Sequence, residues 1–308
     1  MRLLTFSYNG VDRVGLLVDG MVVDMASVYQ SVYGDDHVPS WLVSMRSLLA
    51  ASEHSFPLVE RLAKEAKGLD KVKPHFYSVD EVIFKPPVPD PKKIFCVAAN
   101  YVAHSQEMTI KVPEKPYFFS KFTNTLIGHE HSILIPKTSV KVDYEIELAV
   151  VIGKRGKYIP RDKAEEYIAG YTVFNDVSFR DKQFPAGWPQ QLNPFGQNWI
   201  HGKGLDNAAP CGPYLVTKDE VGSPYSLRLT LKVNGEVRQD GYTRDMYHKI
   251  GDLIEYLSDG ITLEPGDIIA TGTPAGVAAA GKEYLKDKDV VEAEITELGL
   301  LRNRVVKE

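Results

Sequence analysis

"VKVDYEIELAVVIGK", residues 140–154, sets acids on alternate positions, Asp143, Glu145 and Glu147, and then runs into an unbroken aliphatic block. In a strand, side chains two apart share a face, about 7 Å from one another. Glu145 and Glu147 therefore look one way, and Tyr144, Ile146 and Leu148 the other. A solvated face would keep alternating; "LAVVI" does not, which predicts a strand soon covered on both sides. The carboxylates then stand at the threshold of a buried region, where like charges repel and raise a pKa unless a cation neutralises them. Two readings fit this pattern, a metal site and an ordinary polar strand face.

A third acid bears on the choice. Asp176 ends the strand-like run "GYTVFND", just before a long irregular stretch. Three carboxylates without His or Cys favour a hard cation, Mg²⁺ or Mn²⁺ first and Ca²⁺ next, over zinc; the other reading of Asp176 is a turn cap. The second constellation is "AANYVAHSQEM", residues 98–108. If a helix starts after Asn100, a good N-cap residue, His104 and Glu107 lie at i and i+3 on one face. Such a pair is either an imidazole base oriented by a carboxylate or a surface ion pair.

The best boundary in the chain is "FKPPVPDPKK", residues 84–93, whose four prolines let neither helix nor central strand pass. It divides a small β-rich domain, residues 1–85, from a large unit, residues 94–308, with 86–93 as linker. In the first unit, Asn-Gly and Asp-Gly pairs between short β-type runs predict tight hairpins, followed by helices over about 38–51 and 56–67, the first carrying Leu42, Met45, Leu48 and Leu49 at helical spacing. In the second, strand-like runs dominate, and "VNGEV", residues 233–237, predicts a further hairpin. "RDKAEEYIAG" and "IGDLIEYLSDG" read as helices, the latter closed by Gly260. Residues 177–200 are too long and irregular for an ordinary connection and read as a lid or binding loop. They carry Phe184, Trp188, Phe195 and Trp199. The class is α+β and strand-rich.

Composition narrows the partners. A net charge of −5 without a basic stripe excludes nucleic acid and anionic membrane as expected partners. No segment approaches the roughly 20 apolar residues of a membrane span, and the first residues lack a signal peptide's apolar core, so a cytoplasmic protein is expected. Cys96 and Cys211 stand far apart with no Cys-x-x-Cys, which predicts free buried thiols. "TGTPAGV" lacks the Gly-Lys-Ser/Thr ending of a phosphate loop.

Taken in order, "NYVAHSQEM", "DYEIELAVVIGK", "GYTVFNDVSFRDKQ", "GKGLDNAAPCGPYLV", "VNGEVRQDG", "ITLEPGDIIATGTPAGV" and "ELGLLRNRV" resemble the fumarylacetoacetate hydrolase family over most of residues 90–308. The resemblance implies a mixed β-sandwich roll, usually dimeric, with the N-terminal extension of the longer members. It implies Glu145, Glu147 and Asp176 as ligands of Mg²⁺ or Mn²⁺, His104 with Glu107 as catalytic dyad, and Lys203 beside the metal. Arg180, Gln183 and Thr273 match positions that contact an oxo-acid substrate. The His-x-His of "GHEHS", residues 128–132, is not a ligand position in the family. Two departures stand out: the stretch from Asp176 to Lys203 is longer than in compact members, and Phe122 follows Lys121 where proline is common, leaving the local turn open. The activity implied first is hydrolysis of a C–C bond in acylpyruvate- or fumarylpyruvate-type diketo acids through an enolate stabilised by the metal, His104 activating water. The alternative is oxaloacetate decarboxylation, or isomerisation or dehydration of oxo acids, at the same site. A third is a binding protein that kept the fold, whose sign would be loss of His104 or of a carboxylate ligand.

Overall fold

The aliphatic half of the opening segment becomes the strand Ile146–Ile152, buried along its whole length, in a computed structural model of the chain that describes residues 1–34, 37–183 and 198–308. Its neighbours explain why the alternation breaks. Strands Ile168–Asn175 and Ile268–Ala270 flank it antiparallel, with Ala149 opposite Thr172 on one side and Ala270 on the other. On one face Ile146, Leu148, Val150 and Ile152 share a core with Leu229, Leu231, Ala293 and Ile295 of a second sheet. On the other, Ala149 clusters with Cys96 and Phe174, and Val151 with Leu42, Leu48 and Leu62 of the N-terminal helices. A polar residue at any of these positions would face protein instead of water.

The first sheet has 12 strands. From one edge it runs Phe76–Ser78, Met21–Asp24, Val11–Val18, Arg2–Tyr8, Ala209–Thr217, Ile168–Asn175, Ile146–Ile152, Ile268–Ala270, Ile94–Ala98 and Tyr117–Lys121, with two short strands off this path. The second sheet has five strands, in the order Glu236–Tyr242, Arg228–Val233, Val290–Ile295, Gly299–Lys307 and Ser132–Ile135. Parallel pairs such as Ile268–Ala270 with Ile94–Ala98 sit among antiparallel ones, so both sheets are mixed, and the architecture is the strand-rich α+β fold expected. The N-terminal strands enter the large sheet through Arg2–Tyr8, Arg2 pairing with Val216.

Local readings fare unevenly. Asn9-Gly10, Asp19-Gly20 and Asn234-Gly235 all take positive φ at both residues, as the predicted hairpins require. The helix expected over 38–51 divides into a 3-10 turn, Ser40–Leu42, and a short helix, Met45–Ala50, while the next starts early, at Ser52, and ends at Ala66. A helix at Met25–Tyr33 was not foreseen; Asp24 caps it by accepting from the N–H groups of Ala26 and Ser27 at 3.0 and 3.2 Å. Only the strand residues Met21, Val22 and Val23 separate Asp24 from Asp19-Gly20, so the segment reads as the end of a hairpin strand, which hides the N-cap. "RDKAEEY" is a 3-10 helix, not an α-helix, because the chain must enter the strand at Ile168 immediately afterwards. The helix Ile250–Ser258 forms as expected, with Gly260 in the left-handed region two residues beyond its end. Cys96 and Cys211 are free and buried. No helix among the described residues is long and apolar enough to cross a membrane. Phe184, Trp188 and Phe195 lie outside the described residues.

Leu229 is fully buried where the two sheets meet. Leu229→Ala should lower unfolding free energy by about 2–5 kcal/mol, the usual cost of such a truncation, as read from urea denaturation midpoints.

Candidate active site

Just before Ile146 the chain leaves the large sheet. Val142–Asp143 pairs instead with Ser178–Phe179, so the segments leading to Glu145 and away from Asp176 run side by side. The Asp176 N–H donates to the Glu145 carbonyl at 2.8 Å, and the Glu145 N–H donates to Asn175 Oδ1 at 2.9 Å. The outcome is that Glu145, Glu147 and Asp176, all buried, each offer a carboxylate oxygen within 4.8 Å of the others. Among the described residues no other cluster of His, Cys, Asp and Glu meets this geometry; His129 instead accepts a hydrogen bond from the Arg302 N–H.

Three buried cations face these acids. Lys203 Nζ bridges Glu145 Oε2 at 2.9 Å and Asp176 Oδ2 at 2.7 Å. Lys121 Nζ donates to Asp176 Oδ1 at 2.8 Å and to the Val177 carbonyl at 3.0 Å. Arg180 uses all three nitrogens: Nη2 on Glu145, Nε on Asp143 at 2.8 Å and Nη1 on Gln183 Oε1 at 3.1 Å. Asp143, which the sequence reading left without a role, is itself held by the N–H groups of Tyr144, Ala278 and Ala279. It anchors the guanidinium that reaches Glu145.

Electrostatics divides the three acids. Burial alone would push the Glu145 carboxyl up, but Lys203 and Arg180 outweigh it and hold the group well below the usual carboxylate range. Glu147 accepts only a backbone N–H, from Gly272 at 2.7 Å, among the hydrogen bonds of the described residues. Burial, then repulsion from Asp176 and Glu145, pushes its carboxyl well up. For Lys203 the attraction of Asp176 and Glu145 overcomes desolvation, and its ammonium is stabilised. Lys121 goes the other way, lowered by its complete burial despite Asp176. Burial, with the charges of Asp176 and Glu147, raises the Cys96 thiol, which keeps it protonated behind the acids.

His104 and Glu107 sit on the helix Val102–Glu107. His104 Nδ1 lies 2.9 Å from Glu107 Oε1, and the Gly276 N–H donates to both Glu107 oxygens, at 3.0 and 2.8 Å. A carboxylate so placed fixes the proton on Nδ1 and leaves Nε2 as the basic nitrogen. Glycine is required at 276: φ is +113°, and a Cβ would stand 2.2 Å from the Arg238 carbonyl oxygen. Asn100 does not cap this helix. Tyr101 occupies that position, because the Asn100 amide is spent on the carbonyls of His248 and Thr271, at 3.0 and 2.8 Å.

All the predicted site residues except Asp176 and Glu107 line one cavity; those two stand behind it, through Lys203 and His104. Phe119 and Trp199 close its side, stacked with ring centroids 4.5 Å apart, and Lys203 Nζ lies 5.0 Å from the Phe119 ring centre. The Thr273 hydroxyl is already engaged, donating to the Ile146 carbonyl and accepting from Gln239, so Thr273 faces the cavity without a hydroxyl hydrogen to offer. Lys121 and Gln239 were missed in the sequence. Lys121 had one usable signal, a lysine closing the aromatic strand "YFFSK"; the Phe122 beside it is extended and half-exposed, leading into a 3-10 turn at Thr123–Thr125.

Residues 93–306 match the family model described as fumarylacetoacetate (FAA) hydrolase C-terminal. The chain belongs to the fumarylacetoacetate hydrolase family. Similar family members include the human oxaloacetate tautomerase FAHD2A, mitochondrial, 46% identical over 228 residues, or 73% of this chain and 70% of that protein. The oxaloacetate tautomerase fahd2, mitochondrial, of Xenopus laevis is 39% identical over 99% of this chain and 90% of its own length. Among solved structures, maleylpyruvate hydrolase from Sphingobium sp. SYK-6, in complex with manganese(II) and pyruvate, superposes with a TM-score of 0.77 at 28% identity, covering 100% of this chain and 99% of that one. The family members named are enzymes, and the donor set here, three convergent carboxylates without nitrogen or sulfur, suits a hard divalent cation.

Because Glu147 holds its proton to higher pH than a free glutamate, a cation taking that position must displace it. Mn²⁺ affinity should therefore weaken with falling pH at a higher pH than an unshifted glutamate would give, and binding should release protons over the pH range in which Glu147 is still protonated. Calorimetric titration in two buffers of different ionisation enthalpy measures the number released; none released would contradict this electrostatic picture.

Proposed function

We propose that the chain catalyses keto–enol tautomerisation of oxaloacetate or a closely similar 2-oxo dicarboxylate. The observation that carries this reading is that His104, oriented through Nδ1 by Glu107, lines the same cavity as Glu145, Glu147 and Lys203, with Asp176 behind them completing the carboxylate cluster. The two oxaloacetate tautomerases at 46% and 39% identity support the choice of substrate. Tautomerisation asks for a base at the carbon and stabilised charge at the oxygen, with no water to be aimed at a second carbonyl.

Glu145, Glu147 and Asp176 would hold Mg²⁺ or Mn²⁺, which when bound supplies Lewis-acid stabilisation of charge on the 2-oxo oxygen. His104 Nε2 takes the proton from the methylene carbon, and the C–H electron pair becomes the C=C bond as the carbonyl oxygen gains charge. Lys203 Nζ, fixed between two acids, donates toward that oxygen. Glu107 stabilises the imidazolium through Nδ1–H, and the Gly276 N–H keeps Glu107 aligned. Gln183 directs its amide N–H groups at a substrate carboxylate, since its oxygen is committed to Arg180. A proton from solvent then reaches the oxygen while the His104 imidazolium gives its proton back to solvent, which completes the enol with no net change in protons, and the reverse order ketonises it.

The hydrolase expectation becomes the second reading. It is favoured by the maleylpyruvate hydrolase that shares the fold along the whole chain and would use the same base on water. Decarboxylation of oxaloacetate draws on the same charge stabilisation.

Metal-replete protein should speed the decay of the enol's ultraviolet absorbance well beyond Mn²⁺ alone, and no acceleration would exclude the tautomerase. Acylpyruvate or maleylpyruvate cleavage and CO₂ release, measured in parallel, report the other reactions. His104→Ala should lower the tautomerase rate by roughly 10²- to 10⁴-fold, the usual contribution of a positioned base, with Mn²⁺ affinity retained. Full activity in that variant would require a different base.

A further inference from the structure

The peptide unit between two of the three acids is held in an unusual way. Ile146 follows Glu145 and precedes Glu147, and its backbone points toward the strand Ile268–Ala270, which has already ended at that level. Side chains take the missing strand's place. The Ile146 N–H donates to Gln239 Oε1 at 3.0 Å, and its carbonyl accepts from Thr273 Oγ1 at 2.9 Å. Gln239 Nε2 closes the ring, donating to Thr273 Oγ1 at 2.8 Å and to the Pro274 carbonyl at 2.9 Å.

Gln239 reaches this place by a β-bulge. In the hairpin Arg228–Tyr242, Lys232 pairs with Val237 but Leu231 pairs with Gln239, leaving Arg238 as an extra residue. Bulges of this kind re-aim a side chain. Here Gln239 is driven inward to 1% exposure on an edge strand whose neighbours are mostly open to solvent. The same bulge presses the Arg238 carbonyl against Gly276, where a Cβ would stand 2.2 Å from its oxygen, and a Cβ at Gly241 would stand 2.6 Å from Pro274 Cβ. One side chain thus links the two halves of the site: the acids through Ile146, and Glu107 through the Thr273–Gly276 loop.

We propose that Gln239 is a positioning residue that sets the separation of Glu145 and Glu147 for a divalent cation and holds the loop carrying Gly276, hence Glu107 and His104, in register with them. The proposal rests on reading the three carboxylates as a cation site, not on the identity of the oxo acid. An amide is required because the position must accept from one N–H and donate to two oxygens. Leucine offers the same bulk and neither function.

The test is Mn²⁺ affinity, measured by calorimetry on the full chain well below its unfolding temperature, for wild type, Gln239→Leu, Thr273→Val and Thr273→Ser. Loss of an outer-shell partner typically costs 10- to 100-fold in metal affinity, and a loss of roughly that size is expected for Gln239→Leu. Thr273→Val, which removes the hydroxyl from the same ring, should share the loss, while Thr273→Ser should bind nearly as wild type. If Gln239→Leu lowers the melting temperature but binds Mn²⁺ within about twofold of wild type, its role is structural only and the proposal fails. Should Gln239→Leu not fold, unchanged affinity in Thr273→Val overturns the proposal equally. A wild-type chain that binds no Mn²⁺ would overturn this proposal and the cation site together, whereas one that binds Mn²⁺ but leaves oxaloacetate unchanged removes only the tautomerase reading.

Discussion

Four buried carboxylates, Asp143, Glu145, Glu147 and Asp176, face three buried cations, Lys121, Arg180 and Lys203. Removing one partner from a buried pair typically costs 3–5 kcal/mol, because the remaining charge is left in a medium that cannot solvate it. The surrounding structure must therefore deliver every partner at once. Lys121 comes from the edge strand of the large sheet, Arg180 and Gln183 from the turn of helix after Phe179, and Lys203 from the short helix Trp199–Lys203. Close packing brings the last two together: a Cβ at Gly202 would lie 2.6 Å from Gln183 Cβ. With four formal negative charges against three positive, the imbalance falls on Glu147, the acid without a cation at hydrogen-bond distance. A divalent cation held there, as proposed, would offset that excess of negative charge, and an anionic substrate would then meet a site of opposite sign.

The two-sheet fold makes such a cluster tolerable. Ile146–Ile152 is pinned by its apolar face to the second sheet and by ladder bonds to both neighbours, so Glu147 projects from a rigid element. Glu145 lies just outside, where the chain switches partners to Ser178–Phe179. The acids thus occupy the level at which the strand Ile268–Ala270 has ended beside Ile146–Ile152 but the core has not. Backbone groups that would be orphaned there are satisfied by side chains, Asn175, Gln239 and Thr273, instead of by water.

Glu145 and Glu147 stood out in the sequence because their alternation conflicts with the aliphatic run that follows, and Asp176 because it ends a strand-like run before a long irregular stretch; it was the family resemblance that joined the three as one ligand set. His104 and Glu107 were legible as an i, i+3 pair. Lys121 and Gln239 were not: each meets its partners across more than 50 residues of chain, 55 from Lys121 to Asp176 and 93 from Ile146 to Gln239, and nothing in their own segments records that. Asn100 misled because a residue that suits an N-cap also suits any buried carbonyl pair, and tertiary contacts won. The 3-10 helix at Arg161–Tyr167 shows the same competition, its helical composition overruled by the need to start the strand at Ile168.

The linkage between acids and base bears on which reaction the site can run. As the proposed base, His104 would need Nε2 to face the carbon whose neighbouring oxygen lies among Glu145, Glu147 and Lys203. Those groups belong to different segments, and among the described residues no hydrogen bond joins the helix Val102–Glu107 directly to the strand Ile146–Ile152. The connection runs from Glu107 to Gly276, along the loop to Thr273, and from there to Ile146. Each step is a hydrogen bond or a stretch of chain packed against Arg238–Gly241 closely enough to leave no room for a Cβ at Gly276 or Gly241. A base held in this way is suited to one carbon position relative to the oxygen, which proton transfer next to a carbonyl demands. Cleavage at a more distant carbonyl would also need a water molecule aimed from the same nitrogen, so the tautomerase reading asks less of the geometry.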